Sequence, residues 1–308
     1  MEANKKKPPH ISRNAFPVSQ DKLCMRKNWN SRIRSIAGES PGKLRCPRIC
    51  TTCWRRCDVI MHDWIVPDWP APDNVEAVFT TRNGGFSSGA YASLNLGDHV
   101  GDDPEIVSRN RMLLHDMLPS APNWLKQVHG KTVINADDDC AIPCHADASF
   151  SRHPGSVCAV LVADCLPILI CDHEGTLVSA IHAGWRGLAA GVIEQAVSEM
   201  SAANRGSPRL MAWLGPAIGP DHFEVGDEVR RAFIAQDMLS IQAFRRSGAL
   251  PARKWLADLF LLARLSLNRA GITEIYGGTE CTFSNRERFF SYRRDGTTGR
   301  MAGLIWLM

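Results

Sequence analysis

Residues 157–187 read VCAVLVADCLPILICDHEGTLVSAIHAGWRG. Three short apolar runs stand in it: Val157–Val162, Ile168–Ile170 and Leu177–Ile181. Each is continuous rather than alternating, the pattern of a strand covered on both faces. The third leads through Ala183-Gly184-Trp185-Arg186-Gly187, a glycine-punctuated turn, into a helical pattern over Gly187–Met200. Toward the N-terminus, a Trp/Pro-rich entry (Trp64, Pro67, Trp69, Pro70, Pro72) precedes a strand at Val75–Thr80 and the turn Asn83-Gly84-Gly85. Asp102 or Asp103 before Pro104 signals a helix start, because proline at the first helical position loses no needed N–H. That helix is expected to run to about His115. Further strands are expected at Arg209–Leu214 and Met301–Trp306, and helices at Gly226–Gln236 and Lys254–Ala270. No repeat of roughly 20–50 residues is present, which excludes solenoids and propellers. Strands and helices mix without a regular βαβ beat, so the fold class is mixed α/β or α+β, a sandwich with a mixed sheet.

The chain has 308 residues, 44% hydrophobic and 22% charged, an ordinary globular composition. No window approaches the roughly 18 apolar residues of a membrane span. The N-terminus carries lysines but no apolar run behind them, so a secretory signal peptide is not expected. Eleven cysteines are an odd count in a long chain, and reduced thiols in a cytoplasm, some of them metal ligands, fit that usage. The net charge of +4 hides a division. Residues 1–60 hold 14 Lys/Arg against 4 Asp/Glu, whereas residues 61–308 hold 22 against 28. The basic preface lacks periodic apolar residues and is expected to be disordered. It ends in Cys46, Cys50, Cys53 and Cys57, a C-x3-C-x2-C-x3-C run beside Trp54, Arg55 and Arg56. Two readings stay open: a metal knuckle on a nucleic-acid-binding tail, or an extension upstream of a true start at Met61. Residues 61–308 are expected to form one catalytic domain.

Within that body, His129 precedes a glycine, Cys165 lies at the break between two strand runs, and His182 ends the third run. Strand ends bring such side chains to the rim of a sheet. Two imidazoles and a thiolate are donors that zinc prefers, and three protein ligands leave a fourth position open, as catalytic sites do. A metal-free alternative uses Cys165 as thiolate nucleophile with His182 or His129 as its base. Spacing does not separate the two. A P-loop and a G-x-G-x-x-G fingerprint are both absent.

Seven segments in order resemble the bacterial YfiH family. They are Thr80-Thr81-Arg82-Asn83-Gly84-Gly85, Leu94-Asn95-Leu96-Gly97, Gln127-Val128-His129-Gly130, Ala163-Asp164-Cys165-Leu166-Pro167, His182-Ala183-Gly184-Trp185-Arg186-Gly187, Leu214-Gly215-Pro216-Ala217-Ile218-Gly219-Pro220 and Phe289-Phe290-Ser291-Tyr292-Arg293-Arg294-Asp295. The likeness runs from about Met61 to Met308. It implies a layered α/β/β/α sandwich similar to the cysteine-hydrolase domain of cytotoxic necrotising toxins, with zinc ligands at His129, Cys165 and His182. The activities it implies are phosphorolysis of adenosine, inosine and methylthioadenosine, deamination of adenosine, and copper-dependent phenol oxidation (laccase). Editing of cell-wall precursors is a further implied role. For phosphorolysis, Arg82 and Arg186 are candidate phosphate forks, with Arg293 and Arg294 behind them, because guanidinium groups bind such oxygens bidentately. Asn95 could hold sugar hydroxyls or cap its own turn. For deamination, Asp164 is a candidate proton shuttle, but the H-x-E and P-C-x-x-C signature is missing. The ten histidines contain no H-x-H, so a multicopper cluster lacks its usual ligands. Copper can displace zinc at an N/N/S trio, and phenol oxidation is expected to reflect such substitution.

Overall fold

Alternation along the central strands sends side chains into two different cores. A computed structural model describes residues 63–115, 117–138, 144–204, 206–248 and 254–308. The preface 1–60, with Cys46, Cys50, Cys53 and Cys57, lies outside the described residues. The three apolar runs form β4 (Cys158–Val162), β5 (Leu166–Asp172) and β6 (Val178–Ala183). In β5, Leu166, Ile168 and Ile170 enter one core while Leu169 and Cys171 enter the other. Strand β12 (Met301–Leu307) does the same, Met301, Ile305 and Leu307 facing inward and Ala302, Leu304 and Trp306 facing the opposite way. A period of two on a strand buried on both faces accounts for these continuous apolar runs.

Two sheets result. The smaller of this pair has the order β1-β12-β4, all antiparallel, with β1 at Val75–Phe79. The larger adds β2 (Val133–Asn135), β3 (Ala148–Ser151), β7 (Leu210–Leu214) and β11 (Glu274–Gly277) in the order β11-β7-β5-β6-β3-β2. It is mixed: β11–β7 and β2–β3 are parallel, and the interior pairs are antiparallel. One core joins the sheets face to face. Another covers the outer face of the small sheet with Leu94, Leu96, Leu114, Met117 and Leu118, next to α1 (Pro104–Met112). The third lies under α2 (Trp185–Ala190), α3 (Val192–Ala203), α4 (Asp227–Ile234) and α5 (Leu259–Arg269). The layering is α/β/β/α, as expected. No helix among the described residues is long and apolar enough to cross a membrane.

Helix α1 starts as its capping residues dictate: Asp103 accepts from the Glu105 N–H at 2.8 Å, with Pro104 at the first position. Two expectations need correction. The pattern over Gly187–Met200 is two helices, because Gly191 adopts a left-handed φ of 87° and closes α2 before α3 begins. Lys254–Ala270 is not one helix either. Lys254–Ala257 is β10, paired antiparallel with β8 (Glu224–Gly226) and β9 (Phe244–Ser247), and Asp258 then caps α5 by accepting from Leu261 N–H at 2.9 Å. The expected reduced thiols are found at Cys158, Cys165, Cys171 and Cys281, but Cys144 is disulfide-bonded.

Candidate metal centre

The antiparallel register of the large sheet sets Pro167, two residues past Cys165, opposite His182. Cys165 enters β5 after Asp164, whose φ of 87° turns the chain sharply there. His182 lies inside β6 and is buried. His129 arrives from a loop before β2, also with a left-handed φ, 58°. Left-handed backbone at non-glycine residues is uncommon and clusters at functional sites. Here two such residues flank one centre.

The donor atoms of His129, Cys165 and His182 lie within 4.8 Å of one another, with Cys165 Sγ 3.8 Å from His129 Nε2. The two imidazoles meet edge to face, centroids 4.8 Å apart. Asp147, absent from the sequence-derived candidates and fully buried, holds the arrangement. Its Oδ1 accepts from His182 Nδ1 at 2.8 Å and from the His129 backbone N–H at 2.9 Å. Its Oδ2 accepts from the Gly130 N–H at 2.7 Å and the Val128 N–H at 3.3 Å. One carboxylate therefore shapes the loop bearing one imidazole and orients the other, leaving His182 Nε2 free for the centre. Burial opposes its charge, but the His182 hydrogen bond and the Gly130 N–H hold Asp147 below the usual carboxylate range.

The remaining electrostatics favour a thiolate. Burial alone would raise the Cys165 thiol; the charge of His182 and the hydrogen bond from His129 overcome it and bring the pKa to about 6. Burial alone would lower His182; the charge of Cys165 and the hydrogen bond to Asp147 raise it to about 9. Gly184 supplies the room. A Cβ there would stand 2.9 Å from His129 Cδ2 and 3.0 Å from Cys165 Sγ. The donor types, their spacing and this glycine cradle fit a single ion held by His129, Cys165 and His182.

The other candidates are placed differently. Asn95 is fully buried, and both atoms of its amide are committed: Nδ2 donates to Gly97 O and Asp102 Oδ2, and Oδ1 accepts from the Gly97 and Arg300 N–H groups. It holds its loop rather than facing a sugar. Arg82 donates from Nε to Ala92 O and from Nη1 to Arg286 O, and stacks on Phe290 at 4.6 Å. Arg294 is spent on Thr282, Phe283 and Phe289 carbonyls and on Asp295. Arg293 donates from Nη1 to Glu224 O. Asp164 accepts from the Thr282 hydroxyl at 2.6 Å and the Arg293 N–H at 2.6 Å, so its carboxylate ties down a loop and is not free to shuttle a proton. Arg186 is exposed and stacked on Trp185 at 4.4 Å. The overlooked residue is Asp147. The signal at Asp147 was an isolated acid directly before the small-residue strand β3.

A family model described as a multi-copper polyphenol oxidoreductase laccase matches residues 76–308. A purine nucleoside phosphorylase of Pseudomonas aeruginosa is 51% identical over 247 residues, spanning 80% of this chain and 99% of that protein. The Escherichia coli purine nucleoside phosphorylase YfiH is 52% identical over 250 residues, 80% of this chain and 100% of that protein. A crystal structure of a Neisseria meningitidis protein superposes with a TM-score of 0.74 at 50% identity, covering 79% of this chain and 98% of that one. On motif order, fold and this level of identity, the chain belongs to the YfiH family of laccase-domain proteins.

Proposed function

We propose that the chain is a zinc-dependent purine nucleoside phosphorylase acting on adenosine, inosine and methylthioadenosine, with adenosine deamination as a side activity of the same centre. The observation that carries this is the convergence of His129, Cys165 and His182 within 4.8 Å around the Gly184 cradle, in a chain about half identical to proteins named purine nucleoside phosphorylases. Phosphorolysis forms a bond from a phosphate oxygen to C1′ of the ribose and breaks the bond from C1′ to N9, the base leaving with a proton. When bound, a zinc ion would supply positive charge that polarises an oxygen of the reactants.

The protein's own groups set the conditions. Asp147 fixes the His182 tautomer through Nδ1 and holds the 128–130 loop by three N–H groups. His129 is exposed, which opens one side of the centre to a nucleoside. Arg186 lies four residues past His182 and makes no hydrogen bond among the described residues, leaving its donors for a reactant. Deamination would instead add water at C6 of the base and break the C6–N6 bond, with ammonia leaving. Among the described residues His129, Cys165 and His182 are the one cluster suited to an ion, so phenol oxidation is assigned to copper in the same place.

The test is incubation of purified protein with inosine and phosphate, followed by detection of hypoxanthine and ribose 1-phosphate. One zinc per chain is expected, and Cys165→Ala and His129→Ala should each abolish turnover. A second reading has a specific observation behind it: Cys165, His182 and Asp147 form a thiol–imidazole–carboxylate chain suited to a Cys–His hydrolase acting on a cell-wall precursor. Full activity in metal-stripped protein would select that reading and reject the first.

A further inference from the structure

The N-terminus of β12 and the C-terminus of β4 bring Arg300 alongside the segment that leads into Cys165. Met301 pairs with Val162, three residues before Cys165, so Arg300 sits beside the segment that carries the thiol. Its backbone is clamped: Asn95 Oδ1 accepts its N–H at 2.9 Å and its carbonyl accepts from Leu96 N–H at 3.1 Å. Its stem occupies the space left by Gly97, where a Cβ would come within 2.7 Å of Arg300 Cγ.

The head of this arginine is half-buried and only partly used. Nη1 donates to Thr298 O and Gly299 O, both at 3.0 Å, while Nε and Nη2 have no hydrogen-bond partner among the described residues. No carboxylate forms an ion pair with it among those residues either. The nearby carboxylate, Asp164, has both oxygens committed to Thr282 and Arg293. Arginines removed from water are ordinarily paired. Next to it, Thr298 is 2% exposed and its hydroxyl has no partner among the described residues. A buried orphan hydroxyl is destabilising unless a ligand satisfies it. Burial lowers the Arg300 pKa from its ordinary value, and the charges of Cys165 and Asp164 act against that lowering.

We propose that Arg300 and the Thr298 hydroxyl form the oxyanion subsite that receives inorganic phosphate beside the His129–Cys165–His182 centre. This rests on the phosphorolysis reading for its biological use, but not for the binding itself. A guanidinium with Nε and Nη2 to offer presents two parallel donors to a phosphate edge. The Thr298 hydroxyl adds a third, and a partly dehydrated setting strengthens all of them.

The experiment has two arms, run on the full chain with Arg300→Gln, Arg300→Lys and Thr298→Val, thermal unfolding reporting the fold of each. In the kinetic arm, KM for phosphate should rise about tenfold or more in Arg300→Gln and about threefold in Thr298→Val, with KM for inosine within about twofold. Arg300→Lys should recover part of the loss, since charge remains without the planar fork. In the binding arm, calorimetric titration of inorganic phosphate into nucleoside-free protein should weaken by the same factors. An unchanged phosphate KM in folded variants, or a rise confined to inosine, overturns the subsite while leaving phosphorolysis standing. If the wild-type protein turns over no nucleoside, phosphorolysis fails, yet phosphate binding that depends on Arg300 still upholds the subsite. Binding absent, or indifferent to Arg300, overturns it.

Discussion

Asp147 Oδ1 accepts a hydrogen bond from His182 Nδ1 at 2.8 Å, and the same oxygen takes the backbone N–H of His129 at 2.9 Å. One buried atom thus orients the His182 ring and anchors the backbone that carries His129. A carboxylate in that position fixes the tautomer and raises the basicity of the imidazole beyond it.

Replacing Asp147 by Asn should therefore weaken metal binding while keeping the side chain's shape. The amide keeps an acceptor on one side only and turns a donor toward the N–H groups on the other. A loss of about 10–100-fold in zinc affinity is expected, read by competition with a chromophoric chelator. Affinity unchanged from the wild type would deny Asp147 its orienting role.

Gly184→Ala tests the cradle. The added methyl meets His129 Cδ2 at 2.9 Å and Cys165 Sγ at 3.0 Å, so the donors must part. Overpacking of this kind costs about 1–3 kcal/mol, here as a loss of ion occupancy. Elemental analysis of the purified variant should show less than the wild-type metal content, with the unfolding midpoint moved by only a few degrees.

The thiols should separate by burial and by ion protection. Burial pushes Cys158 and Cys171 up to about 12, so both stay neutral at pH 8 and acquire reactive thiolate only as the pH nears that value. In folded protein at pH 8, iodoacetamide should label the half-buried Cys281 and spare Cys158 and Cys171. Cys165 should become labelled only after a chelator has removed the ion. Peptide mass spectrometry reads all four, and modification of Cys158 in folded protein at pH 8 would contradict the burial argument.

Asn95→Ala should behave as a stability variant. It leaves the buried Gly97 N–H and the Arg300 N–H without their acceptor, at a cost of about 2–3 kcal/mol in denaturant unfolding. KM for the nucleoside should stay near the wild-type value. A nucleoside KM raised tenfold in fully folded protein, with stability intact, would restore Asn95 to the substrate.

Removal of residues 1–60 should leave nucleoside turnover and zinc content unchanged. The relatives align over essentially their whole length to about four-fifths of this chain, and the family match begins at residue 76. A drop in turnover on truncation would give the preface a part in catalysis.

Much of this was legible beforehand for local reasons. A strand buried on both faces must be apolar at consecutive positions, so Val157–Val162 and Leu177–Ile181 announced themselves. Asp103 before Pro104 marked a helix start because capping is settled within four residues. The strand at Lys254–Ala257 was missed because Trp255 and Leu256 fit a helical pattern as well as a strand, and its partners Phe244–Ser247 and Glu224–Gly226 are distant in the chain. Strand β3, Ala148-Ser149-Phe150-Ser151, is buried throughout, yet Phe150 is its one large apolar residue among small and hydroxyl-bearing ones.

Residue chemistry singled out His129, Cys165 and His182 but left a metal set and a metal-free thiol–imidazole pair both open; only the motif resemblance implied that the three are zinc ligands. Which other side chains serve them was set by strand pairing. Asp147 reaches His182 across 35 residues because β3 lies antiparallel to β6, and Arg300 nears Cys165 because β12 lies against β4. The same packing fully occupied Asn95 and committed Arg294, and much of Arg82, to internal acceptors. Hydrogen-bond capacity is finite, and only folding decides which groups spend it inside the protein and which keep it for a ligand.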